Sequence, residues 1–181
     1  MKKIVLTFGL IGGTIVGSMM LLTMPLWNAG VLNFDNGQWV GYTTMVVALS
    51  TIFFGVKSYR DNHNNGVVTF GRAVKIGILI TLIASVMYAL AWEVSFSQMS
   101  GDFVAKMTEH RFEEMKANGA SEAELQKARE DWAQFAEIYK IPVVRFLMTI
   151  FVEIFPVGLV ITLISAALLR KKEFLPATEM A

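Results

Sequence analysis

Two carboxylates interrupt otherwise apolar stretches of this chain, Glu93 and Glu153. Acids inside apolar helices are expensive to bury, so each one asks for a partner or a purpose. Measured from the basic residues Lys75 and Arg170, both reach about 26 Å along a helix, which gives them the same expected depth. Three readings follow from that depth. The acids are hydrated or bonded to neighbouring Trp, Tyr and Ser side chains. They share one proton, since two close carboxylates do not both ionise cheaply. Or they hold a cation or the polar head of a ligand. Arg145 stands eight residues before Glu153, about 12 Å further along a straight helix. Its expected partner is therefore an acid of the neighbouring polar segment or a lipid phosphate. Pro156 removes the helical hydrogen bond to Val152 and predicts a kink beside Glu153.

A second polar constellation, Lys57, Tyr59, Arg60 and Asp61, with Arg72 beyond it, reads as a loop whose cations face anionic lipid. No cysteine is present, which excludes thiolate chemistry and disulfides. His63 and His110 fall at opposite ends of the predicted helices and form no common site. No nucleophile elbow, phosphate loop, zinc-protease helix or dinucleotide fingerprint occurs. The expectation is a chain that is not an enzyme, with no catalytic residue, metal or cofactor.

The elements that carry these groups are legible from apolar run lengths. Residues are 54% hydrophobic and only 17% charged, against about 25% charged in soluble domains. Four spans are predicted, over about residues 4–24, 39–56, 76–96 and 143–169, within one membrane domain, 1–181. A polar segment over about 101–139 separates the third and fourth. The first span is too long for a signal peptide and lacks a cleavage site, so it is read as retained. The fold class is an all-α integral membrane protein of four transmembrane helices, with an external helical hairpin between the third and fourth. Ser121 and Glu124 form a capping box in that hairpin. Leu125, Ala128, Trp132, Phe135, Ala136 and Tyr139 then make one apolar face, which packs on itself, lies on the membrane or holds a partner.

Lys2, Lys3, Lys57, Arg60, Arg72, Lys75, Arg170, Lys171 and Lys172 flank the spans on one side, so both termini are expected in the cytoplasm. Net charge is +1, and no nucleic-acid partner is expected. Gly9, Gly13 and Gly17, with Gly12 beside them, form a small-residue face on the first span. It packs within the chain or against a second copy, and Gly13→Ala is expected to be mild. Gly77, Thr81, Ser85, Ala89 and Glu93 repeat the same spacing on the third span.

The run Phe54-Gly55-Val56-Lys57-Ser58-Tyr59-Arg60-Asp61, followed by Phe70-Gly71-Arg72-Ala73 and Gly77, resembles the central motif of the bacterial membrane family called domain of unknown function 4199. Glu153-Ile154-Phe155-Pro156-Val157-Gly158 through Arg170-Lys171-Lys172 is similar to its closing motif. The resemblance implies a multi-pass inner-membrane protein and draws attention to Arg60, Asp61, Glu153 and Pro156, without a mechanism. The leading expectation is a non-enzymatic component that binds membrane lipids or a membrane protein partner, including a second copy. The alternative is a small proton- or cation-linked transporter subunit using Glu93 and Glu153.

Overall fold

The computed structural model describes residues 1–99, 103–171, 174 and 175, with Asn28 by its backbone alone. Lys172, Glu173 and Glu179, and residues 101–102 of the polar segment, lie outside the described residues. The described elements are all helical: α1 (Lys2–Asn28), α2 (Phe34–Leu49), α3 (Thr51–His63), α4 (Phe70–Gln98), α5 (Phe103–Ala117), α6 (Glu122–Tyr139), α7 (Pro142–Met148), a π-helical stretch (Thr149–Ile154) and α8 (Phe155–Leu169). Four helical runs are long and apolar enough to cross a membrane: Lys2–Trp27, Phe34–His63, Phe70–Gln98 and Pro142–Leu169. The second is made of α2 and α3 end to end, and the fourth of α7, the π stretch and α8.

α4 is the central element and packs on α1, α3 and α8, while α3 also meets α8. Small residues set two of these contacts. Gly9, Gly13 and Gly17 of α1 face Ile83, Met87 and Ala91 of α4, in one parallel register. Gly77 of α4 faces Thr162 of α8, and Gly158 of α8 faces Thr81 of α4, a reciprocal antiparallel pair. Without side chains at these four-residue intervals, the helix backbones come close enough for dispersion contacts to accumulate. The small-residue face of α1 is thus an intrachain contact.

Its members differ in how much room they leave. A Cβ at Gly13 would lie 2.9 Å from Met87 Cβ, whereas one at Gly17 would lie 3.5 Å from Ala91 Cβ. The first distance is a clash with an atom bonded directly to the backbone, and the second is ordinary contact. Contrary to the mild effect expected from spacing alone, Gly13→Ala should cost about 1–3 kcal/mol by overpacking. Gly17→Ala should leave thermal unfolding in detergent unchanged or slightly raised. Equal melting temperatures for the two variants would refute this packing.

The second span begins earlier and ends later than its apolar core implies. Asn33 and Asn36 close a reciprocal capping box that starts α2, and Gly37 leaves room for the Trp27 indole. At the other end, Lys57, Tyr59, Arg60 and Asp61 are helical rather than looped. Lys57 and Asp61 bond at 2.6 Å one turn apart, and Arg60 and His63 lie in the last turn, where cations suit the helix dipole. Asn65 and Gly66, at φ 52° and 73°, turn the chain into α4. Arg72 is exposed in the first turn of α4.

The buried positions of α2 are Met45, Ala48 and Leu49, all in its last turns. Its first half buries no residue and meets α1 through the Trp27 indole against Phe34 and Gly37. α5 and α6 pack on each other, and α6 also meets α7. Leu125 is the buried member of the apolar face of α6, the others being half-buried. The Ser121–Glu124 capping box forms as the spacing predicts. Its Ser121 N–H and Oγ hold the Glu124 carboxyl below the usual carboxylate range.

Candidate functional site

A cavity of about 870 Å³ lies between α1, α2, α4 and α5. That size lies within the range of pockets holding drug-sized molecules, about 300–1,000 Å³. Methionines line much of it, including Met19, Met20, Met24 and Met45, with Met99 and Met107 from the α4 end and α5. Unbranched thioethers adapt to irregular apolar shapes. The indoles of Trp27, Trp39 and Trp92 add flat walls.

Two polar assemblies occupy the wall formed by α4 and the fourth span. At the closed end, Tyr88 Oη donates to Glu153 Oε1 at 2.5 Å, and both groups line the cavity. The π-helical stretch that carries Glu153 ends just before Pro156. Pro156 has no N–H for the Val152 carbonyl, and a π turn re-partners carbonyls with one extra residue per turn. The predicted disturbance at Pro156 thus takes the form of a widened turn that aims Glu153 at α4.

Nearer α6, Arg145 donates through Nε to Glu93 Oε1 at 2.9 Å and through Nη2 to Glu93 Oε2 at 2.5 Å. Its Nη1 donates to the Tyr139 carbonyl at 3.1 Å, and its guanidinium lies 4.1 Å from the centre of the Phe96 ring. Trp92 Nε1 donates to Tyr139 Oη at 2.8 Å. Burial pushes the Tyr139 phenol up to about 12, so it stays neutral as that acceptor through the physiological range. Arg145 therefore has an acid of the third span as its partner, not one of the polar segment as expected.

Glu93 and Glu153 each have their own partner, and they do not stand at one depth. The Gly77–Thr162 and Thr81–Gly158 register places Glu153 level with about residue 86, roughly 10 Å along the axis from Glu93. The π stretch and α7 keep that offset, setting Tyr88 opposite Glu153 and Glu93 opposite Arg145.

α5 lines the cavity beside the start of α2. Phe34 of α2 stacks on His110 at 5.5 Å and tilts against Phe103 at 5.8 Å. His110 Nε2 lies 3.4 Å from Asp35 Oδ1, and Arg111 pairs with Glu114 at 2.9 Å. Ser95, 1% exposed, also lines the cavity, and its Oγ has no hydrogen-bond partner among the described residues.

The other constellation lies at the opposite end of α4. Arg60 is fully buried. It donates to Asp61 Oδ1 at 2.6 Å, to the Phe174 carbonyl at 2.9 Å and to the Leu175 carbonyl. Tyr59 is buried and its ring stacks on His63. These groups hold chain rather than face outward.

Tyr88 and Ser95 have no counterpart among the residues singled out by sequence, and Tyr139 enters there only as a member of the apolar face of the hairpin. The available signal was position: Tyr88 and Trp92 follow Ser85 by three and seven residues, on the small-residue face of α4.

No curated protein and no solved structure matches this chain. The family described as Protein of unknown function (DUF4199) matches residues 7–171, and the chain belongs to that family.

Proposed function

We propose that this chain is a non-enzymatic, multi-pass protein of the bacterial inner membrane that binds an amphiphilic ligand of the lipid class between α1, α2, α4 and α5. The observation that carries this reading is the Met- and Trp-lined cavity with a carboxyl–phenol pair at its closed end. An apolar body fits those walls, and a polar head fits the Tyr88–Glu153 end. A proton-linked carrier using both acids is less well supported, because Arg145 occupies Glu93 with two hydrogen bonds.

The basic residues flanking the spans favour cytoplasmic termini, which puts α5 and α6 outside the lipid as a hairpin, with α5 lining the cavity. A cysteine at Ser121 should then react with an impermeant maleimide in intact cells, and one at Asn64 should not. The reverse pattern would invert the topology.

Ligand binding has its own test. An added Cβ at Gly41 meets nothing within 4 Å, and Gly41 lines the cavity. Gly41→Trp should start its side chain in open space and take up part of the cavity. The purified full-length chain should retain a lipid-class molecule in native mass spectra, and Gly41→Trp should lose it at unchanged melting temperature. Undiminished retention by Gly41→Trp would place the ligand elsewhere, and no retention by the parent chain would count against binding.

A further inference from the structure

We propose that the ligand of this cavity is a lipophilic organic cation, an amine or quaternary onium group on an apolar body, with its charge against Glu153. The inference rests on the binding reading above and adds the sign of the charge.

Charge balance is the first ground. The cavity lining holds the acids Asp35, Glu114 and Glu153 against the guanidinium of Arg111. Arg111 is already bonded to Glu114 at 2.9 Å, and His110 sits at 3.4 Å from Asp35. Glu153 is different. Among the described residues its side chain has one hydrogen-bond partner, the Tyr88 phenol, and no cation within ion-pair distance. Arg145, the guanidinium on its own span, is held by Glu93 and the Tyr139 carbonyl. A cationic ligand supplies what the protein leaves out. An anionic head, such as a phosphate, would meet the Glu153 carboxyl at the inner end with no cation beside it among the described residues.

The walls are the second ground. Trp27, Trp92, Phe34, Phe103 and Tyr88 surround the space. The negative faces of aromatic rings attract cations, most strongly where water is excluded, and indole does so best. An alkali or alkaline-earth ion would instead require a shell of several oxygen ligands. Among the described residues no cluster of three or more His, Asp or Glu side chains could hold a metal ion. Apolar walls with one carboxyl group suit an ion whose charge is spread over an organic body.

Tetraphenylphosphonium and tetraphenylborate, nearly equal in shape and opposite in charge, separate the charge from the apolar fit. The cavity tryptophans make intrinsic fluorescence the readout on the full-length chain in a neutral detergent. Tetraphenylphosphonium should quench saturably and tetraphenylborate should not. Glu153→Gln should weaken the cation about tenfold or more, the loss of a charge-assisted contact, and Gly41→Trp should abolish its binding. Saturable binding of both ions with equal affinity, lost in Gly41→Trp, would overturn the charge assignment and leave amphiphile binding standing. Undiminished affinity for the cation in a folded Glu153→Gln would also overturn it. Failure of both ions to bind, beside a native mass spectrum without retained ligand, would remove the binding reading as well. Should Glu153→Gln not fold, the comparison of the two ions on the parent chain still decides the sign.

Discussion

Arg145→Met should lower stability by about 3–5 kcal/mol, the usual cost of leaving one charge of a buried pair alone. For a chain of this size that is a fall of roughly 10 °C in melting temperature. The side chains of Arg145 and Glu93 are 8% and 25% exposed, so the carboxylate left behind is only partly hydrated. The loss also removes the bond to the Tyr139 carbonyl and the contact with the Phe96 ring, which together fix the turn from α6 into α7. Arg145→Lys should recover only part of the loss. An ammonium cannot reproduce the two parallel hydrogen bonds or lie flat on a ring. Glu93→Leu combined with Arg145→Met should be more stable than Arg145→Met alone, because neither charge is then stranded. A double variant no better than the single one would show that the guanidinium works through Tyr139 and Phe96, and that the ion pair contributes little. Thermal unfolding in detergent, followed for all four chains, gives the comparison.

The same pair shows where sequence reading reaches its limit. The faces of α1 and α4 were legible because a small residue every fourth position has one physical use in an apolar helix, close approach to another backbone. The structure puts Gly9, Gly13 and Gly17 against α4, and Gly77 and Thr81 against α8. The capping box at Ser121 was legible for a similar reason, since its two hydrogen bonds are local. The partner of Glu93 was not. It depends on the register between two antiparallel helices, and basic residues at helix ends fix that register only to within a turn or two. An error of that size moves Glu153 from the level of Glu93 to the level of Tyr88. The π stretch adds to the difficulty, because one extra residue in a turn rotates everything before it about the helix axis. Lys57–Asp61 failed differently. A charged run after an apolar one resembles a loop, yet these residues form helix readily and Lys57 and Asp61 pair along it. The cavity has no local signal at all, since it arises where α1, α2, α4 and α5 fail to fill the space between them.

Arg60→Met should release the segment that follows α8. Arg60 is enclosed on all sides, with a relative exposure of 0%, and two of its donors go to the carbonyls of Phe174 and Leu175. The Phe174 ring completes the attachment, edge-on to Phe53 with centroids 6.4 Å apart. Hydrogen bonds from a charged donor contribute about 1.5–3 kcal/mol each, so losing both should exceed what one aromatic contact can replace. Asp61 is left less exposed to harm, because Lys57 still holds its other oxygen at 2.6 Å. The expected result is therefore a local loss: faster amide exchange and proteolysis around Phe174 and Leu175, with a modest drop in the unfolding temperature of the bundle. Asp61→Asn tests the order of dependence. It should loosen the guanidinium while leaving both carbonyl bonds available, and so give a smaller rise in exchange. Protection at Phe174 that survives Arg60→Met would mean that the ring on Phe53 holds the segment and the buried guanidinium does not. Loss of protection together with an unchanged bundle would assign Arg60 to the attachment alone, which explains why a fully charged side chain is enclosed among apolar helices at this end.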